Sequence, residues 1–158
     1  QEEEVRHSAA RIIATHLIDL ELFTAATAVP STFPLYVGFM PDQEDATPDS
    51  AALYDTEGVK DGRLMRGGSN IVHPGIQLRV RSTVHDTGWS KIHEIEEEIA
   101  SMLRTEITVW DDPLLTKYRV QNCSLTSPVI FLGLEEGPIR RYLFTANWLV
   151  TISQSEGD

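Results

Sequence analysis

The chain has 158 residues, 41% of them hydrophobic and 23% charged, and a net charge of −11. That length buries one core without help from metal or disulfide, and the balance favours neither a disordered chain nor a membrane-spanning one. The acidic excess argues against a surface that grips nucleic acid, because phosphate binding needs clustered Lys and Arg.

One domain over residues 1–158 is expected. Gln1 to Glu4 is acidic where a secretory leader would be basic, and no apolar run reaches the ~18 residues that span a bilayer, so a cytoplasmic product is expected. Cys123 is the only cysteine. It rules out an internal disulfide and reads as a small buried hydrophobe.

The first element is an amphipathic helix over Glu2 to Leu22, with Val5, Ala9, Ile12, Ile13, Leu17 and Leu20 at three- and four-residue spacing. The acidic start suits the positive end of the helix dipole. Pro30 and Pro34 close this region, and Leu35 to Met40 reads as a short strand. Residues 41–74 are rich in Pro, Gly, Asp and Ser and read as an extended arm or hairpin, with strand character only at Ala51 to Tyr54 and at Leu64 to Met65.

Gly75 to Thr83 alternates with period two. Ile76, Leu78 and Val80 fall on one side of an extended strand, and Gln77, Arg79 and Arg81 on the other. One side is core, and the other carries two guanidinium groups that never lose their proton and need acceptors. A second helix follows, capped at Asp86 or Thr87 and running to about Arg104, with Trp89, Ile92, Ile95, Ile99 and Met102 on one face. Glu94, Glu96, Glu97 and Glu98 fill the other side as a solvated face.

Beyond Pro113 the strand candidates are Tyr118 to Leu125, Val129 to Leu132 and Tyr142 to Ile152, with a turn at Glu135 to Pro138 and a frayed end over 153–158. In the last strand, Tyr142, Phe144, Ala146, Trp148, Val150 and Ile152 share a face. The plan is α+β: a mainly antiparallel sheet with two helices packed on one face and a long polar insertion.

No phosphate-cradling or nucleophile-elbow motif is present: Gly67-Gly68-Ser69 lacks the downstream Gly-Lys-Ser/Thr of a P-loop. His85, His93 and Glu97 are the only candidate metal set, because His93 and Glu97 lie one helical turn apart. They would serve a small metal-dependent hydrolase, the alternative to a non-enzyme. Asp111-Asp112 and Glu135-Glu136 read as turn residues, and Trp89, Trp110 and Trp148 do not interleave with basic residues as a stacking platform would. Neither a catalytic residue nor a cofactor is called for.

The order of features resembles the tail terminator proteins of long-tailed bacteriophages. The residues that carry the likeness are Tyr54-Asp55-Thr56 with Gly58, then His73 to Ser82, the second helix ending in Met102-Leu103, Ile130 to Leu134, and Arg141 to Trp148. The resemblance covers roughly residues 1–152. It implies a structural virion protein: a homohexameric ring at the head-proximal end of the tail tube that stops polymerisation, meets the tube and a head-completion or connector protein, and lets DNA pass. It also implies that Gln77, Arg79, Arg81, Arg140 and Arg141 contact a neighbouring subunit. Another neck component, a head-closure or connector protein, is the structural alternative.

Overall fold

A computed structural model describes residues 7–25, 33–39, 49–59, 71–109, 117–135 and 140–154. Within them the elements run α1 (Ala9–Asp19), β1 (Thr24–Ala25), β2 (Pro34–Val37), β3 (Asp49–Val59), β4 (Ile71–Ser82), α2 (His85–Ala100), β5 (Thr105–Thr108), β6 (Lys117–Leu134) and β7 (Tyr142–Gln154). The strands form one sheet in the order β1-β2-β3-β4-β7-β6-β5.

The expected α+β architecture with a mainly antiparallel sheet is overturned. The described residues are mostly strand, in a single curled, seven-stranded mixed sheet accompanied by two helices. Strand β2 runs parallel to both β1 and β3, while the other neighbours pair antiparallel. Alternation in a sequence tells which residues share a face. It does not encode the direction of the neighbouring strand, so the parallel corner was invisible.

Element limits moved as well. Ser8 stops the first helix from reaching back to Glu2: it lies in extended conformation and its hydroxyl accepts the Arg11 N–H at 3.2 Å, so the helix begins at Ala9. At the other end Glu21 has φ of 61°, with its N–H on the Ile18 carbonyl and the Leu22 N–H on the Leu17 carbonyl. This is a Schellman termination with Glu where Gly is usual. Helix α2 starts at His85 rather than at Asp86 or Thr87; Ser82 Oγ accepts the Val84 N–H at 3.1 Å and donates to Asp49, turning the chain from β4 into the helix.

The two strands read at Tyr118 to Leu125 and Val129 to Leu132 are one strand, β6, kept continuous by irregularities in its register against β7. Gly133, with φ of 114°, sits at one of them. Strands β3 and β4, which overlap the segment read as an extended arm or hairpin, form an antiparallel pair. The remainder of that arm, 41–48 and 60–70, lies outside the described residues, as do Trp110, Asp111-Asp112 and residues 155–158 of the expected frayed end.

Both helices pack on the face that carries Ile76, Leu78 and Val80. Ile12, Ile13 and Leu17 from α1 and Ile92, Ile95 and Ile99 from α2 meet Leu53 of β3 and Phe144, Ala146 and Trp148 of β7. All of these are buried, each large one adding about 1.5–3 kcal/mol of hydrophobic stabilisation. Asp55 of β3 anchors α1 by accepting the Ala10 N–H at 3.0 Å, which also sets its charge at the positive end of the helix. Gly88 is where α2 comes closest to the sheet: a Cβ there would lie 2.7 Å from the ring of buried Phe144.

Two substitutions test these backbone assignments by thermal and urea unfolding. Glu21→Gly removes a side chain from the left-handed conformation and should stabilise the protein by roughly 1 kcal/mol. Gly88→Ala improves helix propensity, yet the displaced Phe144 ring should dominate and destabilise the protein by about 1–3 kcal/mol.

Candidate functional site

The polar face of β4 is ordered by its two neighbours. Register pairs Gln77 with Tyr54 and Asn147, Arg79 with Ala52 and Thr145, and Arg81 with Ser50 and Leu143. Because paired residues share a face, the alternation in β4 gathers these side chains into one surface. A relay of hydrogen bonds crosses it. Arg79 Nε donates to Gln77 Oε1 at 3.0 Å, Gln77 Nε2 to Asn147 Oδ1 at 3.1 Å, and Asn147 Nδ2 to Ser127 Oγ at 2.9 Å. The Arg79 guanidinium also lies over the Tyr54 ring, 5.3 Å from its centroid. Gln77 and Arg79 are half-buried.

Arg81 behaves differently. It is 2% exposed, its Nε donates to Ser50 Oγ at 2.6 Å, and its Nη1 lies 3.7 Å from Glu135 Oε2. Arg141, fully buried, is close enough to act on it. Burial first, and then Arg141, lower the Arg81 pKa from its ordinary value, with Glu135 opposing. Arg81 nonetheless stays a cation, so the β4 end of the sheet holds charge inside the chain. Arg140, next in sequence to Arg141, is exposed. Of the five sequence-derived contact residues, the structure thus brings Gln77, Arg79 and Arg81 together on one face and sets Arg141 beside Arg81, while Arg140 faces outward.

The other sequence candidates have local partners. His93 Nδ1 donates to the Trp89 carbonyl at 2.8 Å, and His85 lies in an aromatic group. Its ring stacks 6.2 Å from Trp89 and meets Phe131, Tyr142 and Phe144 edge-on at 5.4, 5.4 and 5.3 Å. Among the described residues no group of three or more His, Cys, Asp or Glu side chains is placed to hold a metal ion. Burial pushes the half-buried Cys123 thiol up to about 12, so it stays protonated and a poor nucleophile at neutral pH.

Two features were missed from sequence. The aromatic group around His85 joins residues as distant in sequence as Phe144, and the packing of α2 on β6 and β7 unites them. The second is an exposed apolar series on β6: Leu125, Ile130, Phe131, Leu132 and Leu134, each 43–49% exposed. The sequence marks strands at Tyr118 to Leu125 and Val129 to Leu132 and assigns a buried face to neither.

Residues 16–112 match the family described as bacteriophage tail terminator protein. The match runs from α1 through β5 and includes the whole of β4 with its polar face. No curated protein matches the chain.

Charge reversal separates the two arginines. Arg81→Glu would bury a carboxylate beside Glu135 and should cost roughly 3–5 kcal/mol in thermal or urea unfolding. Arg79→Glu, at a half-buried position, should change stability by no more than about 1 kcal/mol. Equal losses would show that Arg81 is not the buried anchor.

Proposed function

Because the chain belongs to the bacteriophage tail terminator family, and is thereby a structural component of the phage tail, we propose that it assembles as a homohexameric ring at the head-proximal end of the tail tube. There it stops tube polymerisation, meets a head-completion or connector protein on its other side, and lets DNA pass. Its partners are copies of itself, the tail tube protein and the connector. Assembly takes place in the host cytoplasm, and no catalytic step is involved.

The observation that carries this reading beyond the family is the inward placement of cations. Arg81 and Arg141 are 2% and 0% exposed in a chain of net charge −11, so the charge presented outward is more acidic still. An acidic wall repels the phosphates of a passing duplex and denies it the clustered cations that would hold it. Gln77, Arg79 and Arg140 form the part of the polar surface that reaches a neighbouring subunit. Arg81 and Arg141 lie beneath it and fix the strand ends that carry it. An ion pair between Arg79 or Arg140 and an acidic residue of the neighbouring subunit would set register more than it adds affinity.

The test is electron microscopy of tail tubes polymerised with and without the purified protein. Class averages should show a six-fold ring at one end of each tube, and tube growth should stop at that end. Tubes that elongate at the same rate with bare ends would sink the proposal. DNA retention assays at low salt should show no binding by the assembled protein, and salt-sensitive retention would contradict the repelling lumen.

A further inference from the structure

Strand β6 is paired very unequally. On one side β7 accompanies it from Tyr118 to Leu134; on the other, β5 pairs only with Lys117 to Val120, and the Arg104 N–H reaches the Gln121 carbonyl at 3.1 Å. From Asn122 to Leu134 no strand lies on that second side among the described residues. An edge of thirteen residues, about 40 Å long, offers backbone donors and acceptors in a row.

Its side chains have an unusual composition for an exposed edge. Asn122 to Leu134 contains no charged residue, in a chain of 24 acidic and 13 basic groups. Leu125, Ile130, Phe131, Leu132 and Leu134 are all 43–49% exposed, and Phe131 continues the apolar surface across His85 to Trp89, itself 41% exposed. Exposed edges are ordinarily protected by charge, and this one is not.

We propose that this open edge of β6 is where a second copy of the chain adds its sheet, the β6 edge of one copy meeting the opposite, β1 edge of the next. The inference rests on the ring reading above and names its contact surface. Charge favours a second copy as the occupant: two chains of −11 repel wherever their acidic surfaces meet, and an uncharged strand is where they can approach without that cost. Extent favours it too. An uncharged strip about 40 Å long with five half-exposed apolar side chains approaches the scale of ~800 Å² per partner that a stable interface buries, with backbone pairing confined to the two residues of β1 and side-chain contact over the rest.

The two ends of the sheet are unlike, since β1 has two residues and β6 has eighteen. Unlike edges joined head to tail generate rings when the rotation closes, whereas a like-to-like contact stops at a dimer. Pro128 has no N–H and Gly133 sits at a break in register, so the edge pairs in bounded segments and is a poor template for unlimited stacking.

The experiment combines light scattering with hydrogen exchange read by mass spectrometry, on the full chain alone and with tail tubes. Within residues 122–134, the amides that point away from β7 should exchange rapidly in the monomer and slowly in the assembled ring. Leu132→Glu should weaken assembly on the order of tenfold or more without moving the unfolding midpoint. Ala100→Glu, at an exposed site at the end of α2, should assemble as the parent does. Normal assembly by Leu132→Glu, with those amides still exchanging rapidly in the parent ring, would overturn the inference and leave the ring standing. Protection that appears when single copies bind tube would assign the edge to the tube protein and overturn it as well. A parent chain that stays monomeric on tube ends would remove the ring reading and this inference together.

Discussion

Strand β4 is hydrogen-bonded on both sides, to β3 and β7, and every second residue of it is sealed beneath two helices. That alternation constrains almost everything else. A shift of one residue in its register would put Arg79 and Arg81 into the hydrophobic core and Ile76, Leu78 and Val80 onto the polar face, so the pairing has a single acceptable solution. Once it is fixed, Asp55 on β3 falls where it can cap α1, and Phe144 on β7 falls beneath Gly88 of α2. Helix placement is therefore a consequence of the strand register.

What could be read from the sequence follows the same line. The division of β4 into Ile76, Leu78 and Val80 against Gln77, Arg79 and Arg81 needed only a period of two, and β7 likewise displayed its buried face from Phe144 to Ile152. Direction and length were harder. Strands β1 and β5, with two and four residues, are too short to give a period, and the parallel entry of β2 depends on a crossover that leaves no mark in alternation. Glu21 hid the end of α1 because the left-handed residue there is not glycine. The family likeness was legible for the same reason as β4: its residues are strand faces in order, and the matching span 16–112 contains them up to β5.

The cationic face was legible as a pattern and not as an environment. Sequence placed Arg79 and Arg81 together, yet one lies half-buried over Tyr54 and the other is enclosed with Ser50, Glu135 and Arg141. The difference arises from sequence-distant residues, since Glu135 and Arg141 flank the connection between β6 and β7 and reach Arg81 only when β7 pairs with β4. A buried guanidinium is costly to desolvate, and its acceptors must be held rigidly for it to persist. Arg81 consequently ties the β6–β7 connection to the central strand, a role that a solvated arginine could not perform.

Charge and edge exposure then belong to one problem. A protein that must not hold DNA is best kept acidic, and an acidic protein resists self-association over most of its surface. Among the described residues, the sheet leaves one long stretch of β6 without charge and, on the side away from β7, without a neighbouring strand. Under the proposed assembly, repulsion elsewhere would narrow the ways in which copies approach, so the uncharged edge would set orientation as well as contact. In the proposed ring, negative charge would therefore act twice, by sparing the nucleic acid and by restricting where subunits meet.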